Sequence, residues 1–95
     1  MQAYMYILLC SNNQYYTGST IKALNKRVAE HQRGEGANFT RKHLPVKLVY
    51  FEEFQRKDEA FKREKQVQNW GRKKKEALID GNVDQLKGLS KKEFG

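Results

Sequence analysis

The chain has 95 residues, with 19 Lys and Arg against 11 Asp and Glu, so its formal net charge is +8. That length suits one small domain, since a second core would ask for roughly another 50 residues. No apolar run approaches the ~18 residues of a membrane span, the N-terminus lacks the basic start of a secretory signal, and a lone Cys10 excludes a disulfide framework or a cysteine-based zinc site within one chain. A cytoplasmic location without a membrane partner is the resulting expectation.

Residues 4–10, Tyr-Met-Tyr-Ile-Leu-Leu-Cys, are apolar at nearly every position and predict a strand central in its sheet. Ser11 to Gln14 is a polar turn, and Tyr15 to Ser19 reads as the second strand of a hairpin. Ser19 or Thr20 is placed to cap a helix over about 21–32 that stops at Gly34, with Ile21, Leu24 and Val28 as its apolar stripe. Residues 34–45 form a long loop, too polar for a core and of the kind usually functional or mobile. Val46 to Phe54 is a third strand, with Leu48, Tyr50 and Phe51 apolar. Asp58 is expected to cap a helix reaching about Trp70, which Gly71 breaks, and a last helix covers about 72–80. Residues 1–81 thus make the domain. Residues 82–95 make a tail, partly helical around Val83–Leu86 or disordered. The order β-β-α-β-α-α predicts an α+β domain, a small three-stranded and mostly antiparallel sheet flanked by helices.

The positive charge is gathered at Lys22, Lys26, Arg27 and Arg33, at Arg41, Lys42 and His43, and at Arg72 to Lys75. Three separated clusters interleaved with aromatics point to a polyanionic partner, because phosphate neutralisation releases counterions.

Three sets of residues carry candidate chemistry. With Ala60 at 0° on a helical projection, Phe61 falls at about 100°, Val67 at about 340° and Glu64 at about 40°. The carboxylate therefore sits inside the apolar stripe, where an ion needs a cation, a metal or strong donors. Arg27 and His31, four residues apart, flank the stripe of the first helix. A guanidinium there can fork two phosphate oxygens, and an imidazole beside it can relay a proton near neutral pH. On the strands, Tyr4 and Tyr6 share one face, while Tyr15 and Tyr16 point to opposite faces. A phenol becomes a base at neutral pH only beside a cation, which Arg27 or a metal would supply.

Tyr6, then Tyr16-Thr17-Gly18, then Arg27-x-x-x-His31, then Ala60-Phe61-Lys62-Arg63-Glu64 resemble in order and spacing the GIY-YIG nuclease domain. The small, stand-alone bacterial members are the most similar, also in the segments Gly36-Ala37-Asn38-Phe39-Thr40-Arg41, Pro45 to Tyr50 and Lys75 to Ile79. The resemblance implies a DNA endonuclease, acting on branched or damaged sites in repair or recombination, with DNA ahead of RNA as partner. It implies one weakly bound Mg²⁺ or Mn²⁺ on Glu64, Tyr6 as general base, Tyr16 orienting water or substrate, Arg27 on the scissile phosphate and His31 assisting proton transfer. Lys26, Arg41, Lys42, Arg72 and Lys73 are the candidate nucleic-acid contacts, and a monomer is expected. Two departures stand out: Tyr4-Met5-Tyr6 replaces Gly-Ile-Tyr, and Thr17 replaces the isoleucine of the second motif. The side chain at position 4 either narrows the approach to phosphate or packs elsewhere. A non-catalytic nucleic-acid-binding module that keeps the fold is the alternative.

Overall fold

The computed structural model describes residues 2–81. Strands β1 (Ala3–Cys10), β2 (Tyr15–Thr20) and β3 (Val46–Phe54) form an antiparallel sheet in the order β2-β1-β3. Helices α1 (Leu24–Gln32), α2 (Asn38–Arg41), α3 (Lys57–Gln68) and α4 (Arg72–Ile79) complete it. The expected α+β class and the central place of β1 both hold.

β1 shows no polar alternation because both of its faces are covered. Met5 and Ile7 enter a cluster with Val67 of α3 and Leu78 of α4, while Tyr6, Leu8 and Cys10 pack with Leu24 and Val28 of α1. Burying each such aliphatic contributes about 2 kcal/mol. Tyr15 joins the first cluster and Tyr16 the second, as their alternation requires. The β1–β3 register shifts between Ile7 and Leu8. The shift changes the phase of β3, so Leu48 faces α1 while Tyr50, only two residues on, faces α3.

Three local expectations need correction. α1 starts at Leu24, because the Thr20 hydroxyl accepts from the Lys22 N–H at 3.0 Å in a local turn and Ala23 takes the uncapped N-terminal position. Ile21 therefore lies outside the helix and is 52% exposed. Asp58 lies inside α3 rather than capping it, held at 3.0 and 3.1 Å by the Arg56 guanidinium, and its charge suits the first turn. Residues 34–45 contain α2 and bury Thr40 completely, so the segment belongs to the core it seemed too polar to enter. The turn expected around Val83–Leu86 and the rest of the tail lie outside the described residues.

Candidate active site

Tyr6 projects from the central strand toward α1, which presents Arg27 and His31 one turn apart. His31 Nε2 lies 2.8 Å from the Tyr6 hydroxyl, and Arg27 Nε–H donates to the same oxygen at 3.3 Å. Gly18 pairs with Tyr6 across the hairpin, and a Cβ there would fall 2.7 Å from Tyr6 Oη. The phenol thus occupies space that any other residue would fill. Tyr16 tilts against His31 with ring centroids 5.4 Å apart and stacks on Phe39 of α2 at 6.4 Å. On the far side of the imidazole, Nδ1 is 2.8 Å from Thr40 Oγ1. Arg27 Nη1 pairs with Glu30 at 2.8 Å, and Lys22 holds the second Glu30 oxygen at 2.7 Å. The hydrogen bonds from Lys22 and Arg27 hold the Glu30 carboxyl down at about 2.

Glu64 is 9% exposed on α3, between fully covered Ala60 and Val67, whereas Phe61 leaves the expected stripe at 52% exposed. The donors that its charge requires are neutral ones: Ser19 Oγ at 2.5 Å and Gln68 Nε2 at 2.7 Å. Gln68 also donates to the Thr17 carbonyl, which ties α3 to the edge strand β2. Arg63 is turned away onto Glu52 at 2.9 Å, and Lys65 stands 4.0 Å off at the rim. Glu64 makes no direct bond to Tyr6, Tyr16, Arg27 or His31 among the described residues, yet its charge acts on both tyrosines.

Electrostatics divide the group into an inner and an outer half. Tyr6 is 1% exposed, and burial pushes its phenol up to about 12 despite the hydrogen bond and charge of Arg27. Desolvation outweighs the cation, so Arg27 alone does not bring Tyr6 into the range of a base. His31 is completely buried and pushed down to about 4, first by burial and then by the Arg27 charge. It is therefore neutral at pH 7, with both ring nitrogens engaged inside the protein. Tyr16 is half-buried, and among the described residues its hydroxyl has no partner and is not enclosed. Burial, then the Glu64 charge, raise its pKa. The Arg27 side chain is likewise partly open, at 24%.

Lys26, Arg41, Lys42, Arg72 and Lys73 are all exposed, and none bonds to the central group. Arg72 lies over the Tyr15 ring and donates to the Asn13 carbonyl, and Arg41 donates to Asn38. Tyr4, where the first motif has glycine, packs edge-on against Phe51 of β3 at 6.1 Å. Ser19, Gln68, Glu30, Thr40 and Gly36 were not expected from the sequence as site residues. Gln68 and Glu30 lie about one turn from Glu64 and Arg27, a spacing that would have found them. Nothing local marks Ser19 or Thr40.

A cation here would rest on Glu64. Its two oxygens keep lone pairs beyond the Ser19 and Gln68 bonds. No group of three or more His, Cys, Asp or Glu able to hold a metal gathers among the described residues. One carboxylate, with the other positions left to water and phosphate, fits Mg²⁺ and not Zn²⁺.

Residues 2–77 match the family model of the GIY-YIG catalytic domain. A UPF0213 protein of Natronomonas pharaonis is 45% identical over 76 residues, covering 80% of this chain and 88% of that protein. A UPF0213 protein of Staphylococcus aureus is also 45% identical over 76 residues, with 80% and 92% covered. The solution NMR structure of a UPF0213 protein from Bacillus halodurans, 39% identical, superposes with a TM-score of 0.54 over 84% of each chain.

Proposed function

We propose that this chain, which belongs to the GIY-YIG nuclease family, hydrolyses phosphodiester bonds of DNA with a divalent cation held at Glu64. Nucleases of this family generally depend on such a metal. One observation carries the reading: a partly open guanidinium fixed on Tyr6 stands beside the open Tyr16 hydroxyl, and the buried Glu64 carboxylate acts on both phenols.

Hydrolysis needs a water poised for attack, cover for charge on the phosphate oxygens, and a proton for the leaving oxygen. Arg27 keeps Nη2 uncommitted among the described residues and would donate to a phosphate oxygen through it. Tyr16 replaces Tyr6 as the phenol that orients the attacking water, taking the water's proton as its own passes to solvent, because the Tyr6 oxygen is buried and doubly engaged; solvent in turn protonates the leaving oxygen. Tyr6 and His31 act behind it by holding Arg27. When bound, the cation would neutralise phosphate charge and offset the Glu64 charge that helps keep Tyr16 protonated. The exposed Lys26, Arg41, Lys42, Arg72 and Lys73 are proposed to meet backbone phosphates along the strand.

The test is incubation with Mg²⁺ or Mn²⁺ and labelled branched, single-stranded and duplex DNA. Cleavage of at least one substrate, lost with chelator and with Glu64→Ala, is the expected result. The second reading, a binding module, is favoured by the Glu30 carboxylate that competes with phosphate for Arg27. It requires salt-sensitive DNA binding that survives Glu64→Ala, with no substrate cut. That outcome would overturn the nuclease reading.

A further inference from the structure

Beyond stacking Phe39 on Tyr16 and exposing Arg41, the Gly36-Ala37-Asn38-Phe39-Thr40-Arg41 segment closes over one side of His31. Thr40 and His31 are both 0% exposed. A Cβ at Gly36 would lie 2.1 Å from His31 Nδ1, so the segment can close over the ring only with glycine there.

The direction of each hydrogen bond follows from counting protons. The Thr40 hydroxyl has one proton, and it is donated to the Ala37 carbonyl at 3.0 Å. Toward His31 Nδ1, 2.8 Å away, Thr40 Oγ1 is therefore an acceptor, and Nδ1 must carry the ring proton. The neutral imidazole then turns the Nε2 lone pair to Tyr6, whose O–H donates to it across 2.8 Å. With its proton directed at His31, the Tyr6 oxygen presents lone pairs to the Arg27 Nε–H at 3.3 Å. The opposite tautomer would leave the Tyr6 proton without its His31 partner, and the Thr40 hydroxyl could reach Nδ1 only by leaving the Ala37 carbonyl.

We propose that Thr40 is a positioning residue: it fixes His31 as the Nδ1–H tautomer, and the resulting one-way chain Arg27 to Tyr6 to His31 to Thr40 to the Ala37 carbonyl aims the guanidinium at its ligand. Glu30 holds Nη1, so two partners on different atoms fix the guanidinium and leave Nη2 without a partner among the described residues. The consequence for cleavage rests on the nuclease reading, but the chain itself does not.

The experiment is ¹⁵N imidazole spectroscopy of the full chain at pH 7, with the Arg27 Nε–H resonance followed in the same sample. Nδ1 at the protonated shift, Nε2 at the unprotonated shift, and a slowly exchanging Arg27 Nε–H are expected. In Thr40→Val the tautomer population becomes mixed and the Arg27 signal exchanges faster; Thr40→Ser, which keeps the hydroxyl, restores both. If the wild type cuts DNA, Thr40→Val slows cleavage about tenfold, the equivalent of one lost hydrogen bond, with DNA affinity little changed, and Thr40→Ser recovers it. An Nε2–H tautomer in the wild type, or a Thr40→Val spectrum identical to the parent, overturns the proposal whether or not the protein cuts DNA. A protein with the expected spectrum that cleaves nothing defeats the nuclease reading alone.

Discussion

Thr17 stands where the second motif usually carries isoleucine, and it is 4% exposed with a hydroxyl that finds no partner among the described residues. An unpaired buried hydroxyl costs folding free energy, so Thr17→Val is expected to stabilise the domain by about 1 kcal/mol in urea unfolding. His31 sets a second expectation. Its pKa is lowered from 6.5 to about 4, so the folded state prefers the neutral ring. The sign follows from linkage: stability is whole above 6.5 and declines as pH falls toward 4, where the unfolded chain takes up the proton first. The interval corresponds to about 3 kcal/mol. Relative to His31→Gln, the wild type should lose about that much stability between pH 7 and pH 4; parallel curves would contradict it. Both effects are readable from the sequence only in part. Periodicity placed Glu64 in an apolar stripe and Arg27 beside His31, but it cannot report that Tyr6 is sealed to 1% exposure, the burial on which the proposal of Tyr16 as base rests.

At the scale of elements, strand and helix identities followed from hydrophobic pattern, while their ends depended on side-chain bonds. Thr20 closing on the Lys22 N–H delays α1 by three residues from its expected start. Gln32, the last residue of α1, shows how such bonds also join elements. Its amide accepts from the Val46 N–H at 3.0 Å and donates to the Val46 carbonyl, pairing with β3 as a neighbouring strand would. Val46 is 3% exposed, so both of its backbone groups lose their partner in Gln32→Ala. That substitution is expected to cost about 1–3 kcal/mol, measured by urea unfolding. A loss below a few tenths of a kcal/mol would show that water replaces the amide. No sequence pattern announces this bridge, because glutamine at a helix end is ordinary.

For the whole molecule, covering both faces of a three-stranded sheet explains how few residues hold two separate clusters, one under α3 and α4 and one under α1 and α2. It also brings Tyr6, from one face, and Glu64, from the helix packed on the other, within reach of each other's charge at the open side of β2, the edge strand. Ser19 and Gly18 are neighbours on that strand: one donates to Glu64 and the other yields space to Tyr6. Composition pointed to a polyanion, and the ordered motif pointed to the family. The meeting of the two faces needed coordinates. Whether they form a single centre is tested most directly by Mn²⁺ relaxation in the NMR spectrum with an uncleavable DNA strand bound. Broadening should centre on Ser19 and Gln68, extend to the Tyr6 and Tyr16 rings, and vanish in Glu64→Gln. Broadening centred elsewhere, or unchanged in Glu64→Gln, would contradict the account.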